Sequence, residues 1–199
     1  TRCVQDASTK LFSAQIWAPA EQYRWRCRKA VRVSSPLIYE AHIGMSSEAE
    51  EVASFNYFTE NVLPRVAQLG YNTIQLMALQ EHPYYGSFGS QVSNFYALSS
   101  RYGTPEEFKR LVDEAHRLGL AVIMDLVHSH AVKNELEGLS RFDGTYTTYF
   151  HGGDRGNHPA WDSRCFDYGK SETIHFLLSN CKFWMEEYHL DGFRFDGVT

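Results

Sequence analysis

The chain has 199 residues and a formal net charge of −5. Hydrophobic residues make up 43% and charged residues 22%, the balance of a globular protein with a core, and no Lys/Arg block points to a nucleic acid or a membrane surface. No apolar run reaches the roughly 18 residues of a transmembrane helix, and the opening TRCVQDASTK has neither Met nor the apolar core of a signal peptide.

Residues 1–33 read differently from the rest. LFSAQIWAP (11–19) and YRWRCRKAVRV (23–33) contain short alternating stretches, which predict antiparallel strands at the tail of a preceding β domain. Cys3, Cys27, Cys165 and Cys181 form no CxxC pair, which argues against structural zinc and for a reduced, intracellular protein.

From Ser34 the pattern alternates strand and helix. PLIYEAHIG (36–44) is the first short strand. A helical region over 55–69 follows, with Val62, Val66 and Leu69 on one face, a kink at Pro64 and a stop at Gly70. YNTIQLMAL (71–79) is the second strand. In TPEEFKRLVDEAHRLG (104–119), Thr104 caps, Pro105 takes the first helical position and Glu107 closes a capping box. LAVIMDLV (120–127) is a third strand, apolar on both faces. The polar stretch 128–170 is too long for an idle connection. A helix from Ser171 to about Tyr188 leads to LDGFRFD (190–196), the fourth strand.

Four β/α units in order predict an α/β fold, either an open doubly wound sheet or the first half of a TIM-type (β/α)8 barrel. No G-x-G-x-x-G follows the first strand, which counts against a dinucleotide fold.

Three polar sets end at one face. In DGFRFD, Gly192, Arg194 and Asp196 point one way and Phe193 and Phe195 the other. A guanidinium beside a carboxylate favours its ionised form, as a glycosidase nucleophile needs, although a structural ion pair explains the same residues. In DLVHSH (125–130), Asp125 interrupts an apolar strand and His128 and His130 follow. Substrate contact, a backbone-bonded loop histidine and an H-x-H metal site are all open. In EHPYYGSFGSQVSNFYALSSRYGTP (81–105), Tyr84, Tyr85, Phe88, Phe95 and Tyr96 lie among Gly and Ser, placed to stack on sugar rings or to pack on one another.

DLVHSH and DGFRFDGVT resemble two signature regions of the α-amylase superfamily. YEAHIGMSS, NVLPRVAQLGYNTIQLMALQEHPYYGSFG, SRYGTPEEFKRLVDEAHRLGLAVIMDLVHSHAVKN, FDGT and WDSRCFDYG resemble the glycogen and starch branching enzymes, the 1,4-α-glucan branching enzymes of eukaryotic type. The resemblance implies that residues 34–199 form part of a catalytic barrel with an insertion at 128–170, and that 1–33 end a carbohydrate-binding β-sandwich. It implies Asp196 as catalytic nucleophile, Arg194 as its charge partner, and Asp125, His130, Tyr84, Tyr85 and Trp161 as substrate-binding residues. It further implies an α-1,4-glucan substrate (amylose, glycogen or starch), no cofactor or metal, no nucleic-acid or membrane partner, and a cytoplasmic location, or a plastid in a plant. The family's F-G-Y-Q reads FGSQ here, with Ser90 at the Tyr position. The family's general acid and third carboxylate would lie beyond Thr199, so the resemblance implies half a barrel, inactive alone. The competing readings are an α-glucan hydrolase, a non-catalytic α-glucan-binding protein and, more distantly, a metal-dependent hydrolase using His128 and His130.

Overall fold

The structure, a computed structural model, describes residues 2–198. Strands β1 (Arg2–Gln5) and β2 (Phe12–Gln15) form an antiparallel hairpin. β3 (Ile38–Ala41) is followed by α1 (Phe55–Tyr57), a π turn over Phe58–Val62 and α2 (Leu63–Gln68). Next come β4 (Thr73–Leu76), β5 (Gln80–Glu81), β6 (Asn94–Leu98), α3 (Pro105–Arg117) and β7 (Ala121–Leu126). β8 (His130–Val132), β9 (Asn157–His158) and β10 (Ser163–Cys165) lie in the insertion, before α4 (Ser171–Tyr188) and β11 (Gly192–Phe195). Among the described residues no helix is long and apolar enough to cross a membrane, and all four cysteines are free.

The main sheet is parallel in the order β3-β4-β7-β11. Each new strand adds on the same side of the last, which is how a barrel winds; a doubly wound sheet reverses direction partway. The fold is therefore four β/α units of a TIM-type barrel. Ile74, Leu76, Val122, Met124 and Leu126 point from the sheet into one core with Phe108, Leu111, Val112 and Ala115 of α3 and Trp184 and Tyr188 of α4. Alternation then sends Gln75, Asp125 and Arg194 to the opposite, barrel-interior face. Phe193 packs on the helix-side core as expected, whereas Phe195 is 45% exposed.

Two expectations fail. The region 23–33 is not a strand. It is a strap laid over α3, where the buried carboxylate of Asp113 accepts hydrogen bonds from the backbone N–H groups of Arg26 and Cys27, from Arg26 Nε and from the Tyr23 hydroxyl. Trp17 donates to Glu106 on the same helix. Alternation misled because the apolar and aromatic positions of the strap cover a helix rather than a sheet. The second failure is Leu69 on the face of 55–69, of which Val66 is buried and Val62 packs on the core as expected. Leu69 is 69% exposed, and the buried positions are Phe55, Phe58, Leu63 and Val66. The five-residue step from Phe58 to Leu63 is the π turn, in which Leu63 N–H reaches Phe58 O. That turn absorbs Pro64, which has no N–H to give, and shifts the phase of the pattern. The α3 capping box, with Thr104 accepting from Glu107 N–H and Glu107 accepting from Thr104 N–H, is as expected.

The insertion 128–170 carries a small subdomain. β8, β10 and β9 form an antiparallel sheet, and Phe95, Val127, Ala131, Phe150, Phe166 and Leu177 make a second apolar cluster.

Burial raises the Asp113 carboxyl, but the hydrogen bonds from Cys27, Arg26 and Tyr23 outweigh it and leave Asp113 below its ordinary value. Its contribution is therefore complete above the unfolded aspartate value near about 4 and is lost as pH falls through the depressed folded value. Replacing Asp113 by Ala strands two backbone donors, and urea unfolding at pH 7 should show a loss of roughly 2–3 kcal/mol. The difference between wild type and variant should shrink below about pH 4.

Candidate active site

The site lies where β7 and β11 end. Their register sets Arg194 opposite Asp125. Arg194 Nη1 donates to Asp125 Oδ2 at 2.9 Å and Nη2 approaches Asp196 Oδ1 at 3.1 Å, so one guanidinium bridges two carboxylates through separate nitrogens. Asp125 is buried, whereas the Asp196 side chain is 41% exposed and reaches the cleft. Burial raises the Asp125 carboxyl, with the Arg194 charge and hydrogen bond opposing the rise. Asp125 Oδ1 accepts from Gln75 Nε2 at 2.9 Å.

A cleft of about 410 Å³ opens beside Asp196, lined among others by Tyr84, Ser90, Gln91, His130 and Trp161. Tyr84 is 64% exposed and Trp161 42%, so both offer ring surface. His130 is the first residue of β8. Its Nε2 lies 2.9 Å from Ser90 O and its Nδ1 2.8 Å from Ser129 Oγ. A carbonyl only accepts, so Nε2 carries the proton and Nδ1 accepts from Ser129. Burial lowers the His130 basicity, which keeps the ring neutral at pH 7. Its two nitrogens are thus engaged within the protein, and a ligand group reaching Nε2 would have to replace the Ser90 carbonyl.

The other sequence candidates separate. Tyr85 is half-buried, packed with His42 and Phe88 away from the cleft, and Phe95 belongs to the second cluster. His128 is buried, with Nε2 2.9 Å from Asn180 Oδ1 on α4. His128, His130 and Asp125 do not converge, and among the described residues no group of three His, Cys, Asp or Glu side chains could hold a metal ion. Ser90 contributes its carbonyl to His130 and lines the cleft. The sequence reading missed Gln75 and Ser129. Gln75 had a signal, as the amide side chain between the apolar Ile74 and Leu76 of the strand.

Against this geometry, comparisons with known proteins agree. The family model for the alpha-amylase catalytic domain matches residues 59–167. The chain belongs to that family. It is 58% identical over its whole length to a 1,4-alpha-glucan-branching enzyme of Aspergillus oryzae and 55% identical to one of Yarrowia lipolytica. It spans 29% of the length of each of these curated relatives. A crystal structure titled as a putative alpha amylase from Salmonella typhimurium superposes with a TM-score of 0.69 at 28% identity, over 88% of this chain and 28% of that one.

Gly197, directly after Asp196, has φ +64, and a Cβ there would stand 2.8 Å from Ser129 Oγ and 3.4 Å from the Trp161 ring. Gly197→Ala should therefore cost about 1–2 kcal/mol in chemical denaturation and shift the intrinsic fluorescence of Trp161.

Proposed function

We propose that this chain supplies the nucleophile-bearing part of a retaining α-glucan active site, and that the protein carrying it is a 1,4-α-glucan branching enzyme. The observation that carries this reading is the Arg194 bridge from Asp125 to Asp196 beside an aromatic-walled cleft. High identity to proteins named as branching enzymes supports the choice within the family. A cytoplasmic location, or a plastid in a plant, follows from the same reading, as does reading the β1–β2 hairpin as the end of a carbohydrate-binding β-sandwich.

The chemistry starts at Asp196. An oxygen of its carboxylate attacks the anomeric carbon of an α-1,4 linkage, the bond to the departing 4-oxygen breaks, and a glycosyl ester forms. The departing 4-oxygen takes up a proton as it leaves, and because Asp196, the one carboxylate lining the cleft among the described residues, is the nucleophile, that proton comes from an acid–base group outside these residues. The 6-hydroxyl of a second glucan then attacks the same carbon from the face the first chain left, returning its proton to the acid–base group that protonated the 4-oxygen. The ester breaks, Asp196 is regenerated and an α-1,6 branch results with configuration retained. Arg194 fixes the attacking carboxylate through Nη2 while Asp125 fixes Arg194 through Nη1. Tyr84 and Trp161 supply flat apolar surface for glucosyl rings, and neutral His130 closes the cleft between them. A second reading, α-glucan binding without turnover, is favoured by Ser90, which lines the cleft at the position where the F-G-Y-Q pattern of the resembled family has Tyr.

Amylose incubated with the natural protein carrying this chain separates the readings. Branching lowers iodine colour without new reducing ends, hydrolysis raises reducing ends in step, and binding alone changes neither. Asp196→Asn should lower the branching rate by roughly 10⁴-fold. Arg194→Lys, which offers one point charge in place of a fork, should lower it by about 10²-fold.

A further inference from the structure

The bridge at Arg194 is the end of a longer chain of contacts. Gln75 Nε2 sits 2.9 Å from Asp125 Oδ1 and 3.1 Å from Glu40 Oε1. Glu40 is on β3, Gln75 on β4, Asp125 on β7 and Arg194 on β11. Side chains from four successive parallel strands are therefore linked end to end across the barrel interior, with Asp196 last.

The orientation of Gln75 is dictated by its partners. Both are carboxylates, which accept and do not donate when ionised, so the amide must present NH2 to them and turn its oxygen away. Each of its two hydrogens has one acceptor. Glu40 thus fixes the amide, the amide fixes one oxygen of Asp125, and Arg194 fixes the other. Remove Gln75 and a buried carboxylate keeps one partner only and is free to rotate about its last bond. Arg194 then loses the alignment that carries its second nitrogen to Asp196.

We propose that Gln75 and Glu40 are positioning residues of this site, acting through Asp125 and Arg194 to hold the Asp196 carboxylate at its attacking angle. This rests on the reading of Asp196 as nucleophile. The charged groups that act on Asp125 are Arg194 and Asp196 from β11 and the turn after it, and Glu40 from β3. Burial raises the Asp125 carboxyl first, Arg194 lowers it, and Glu40 and Asp196 raise it again.

The test uses the natural protein carrying this chain, with amylose as substrate. Gln75→Met keeps the shape and removes both donors, and should lower kcat about tenfold with KM within about threefold. Glu40→Ala should lower kcat by roughly threefold to fivefold. Glu40→Gln keeps an acceptor oxygen and should restore kcat to within about twofold, while the acid limb of the pH–rate profile moves to lower pH because a charge that raised Asp125 is gone. A purely structural role for these residues would not produce that split between geometry and charge. If Gln75→Met does not fold, the Glu40 pair decides. The proposal is overturned if Gln75→Met and Glu40→Ala both keep wild-type kcat and acid limb. It is equally overturned if a crystal structure of Gln75→Met keeps both Arg194 contacts, near 2.9 and 3.1 Å. Amylose turnover that survives Asp196→Asn would sink the nucleophile reading alone, and the crystal structure would still decide the positioning.

Discussion

Everything at the site follows from the register of β11 against β7. Phe193 pairs with Met124 and Arg194 with Asp125, so the apolar residues of both strands face the helices and the polar ones face the interior. A slip of one residue would send Arg194 and Asp196 into the core beneath α3 and α4 and turn Phe193 inward. The cost of burying that ion pair among Met124, Leu126 and Trp184, with no polar partners, is what holds the register. The hydrophobic core and the polar chain thus specify the same alignment from opposite faces of one sheet.

The helix side was written openly in the sequence. The stripe of α3, its capping box and the apolar β7 each stated their element through a local rule that tertiary contacts did not disturb. The period-two placement of Arg194 and Asp196 was equally plain, because strand alternation needs no knowledge of neighbours. The strap at 23–33 failed because alternation records a covered face without saying what covers it; a buried Asp113 on a distant helix turned an apparent strand into a clasp. In 55–69 the π turn steps the buried set by five residues, from Phe58 to Leu63, which a helical wheel of constant phase does not anticipate, and Leu69 fails because it caps α2 with its side chain exposed.

The site itself was legible where chemistry lies close in sequence and obscure where it depends on packing. DGFRFD announced Arg194 and Asp196 together. Whether His128 or His130 faced the cleft could not be read from two histidines separated by one residue, since β7 ends at Leu126, before both, and the turn into β8 decides. One is held by Asn180 on α4 and the other by the Ser90 carbonyl. Tyr84 and Tyr85 are adjacent for the same reason unlike: a short 3₁₀ turn from Tyr85 to Ser87 exposes the first ring and folds the second under the sheet end.

The two apolar clusters divide the site between them. Asp125 and Arg194 stand on strands seated in the larger core, with Asp196 directly after the second of them, whereas Trp161 and His130 are carried by the insertion, which is seated on the smaller one around Phe95, Phe150 and Phe166. Free energies of local opening follow such boundaries, and a small cluster opens at lower cost than a whole sheet-and-helix layer. The wall of the cleft therefore has a lower cost of opening than the floor beneath it. Local opening of the wall leaves Asp125 and Arg194 in register on their strands, because the larger core holds that register independently.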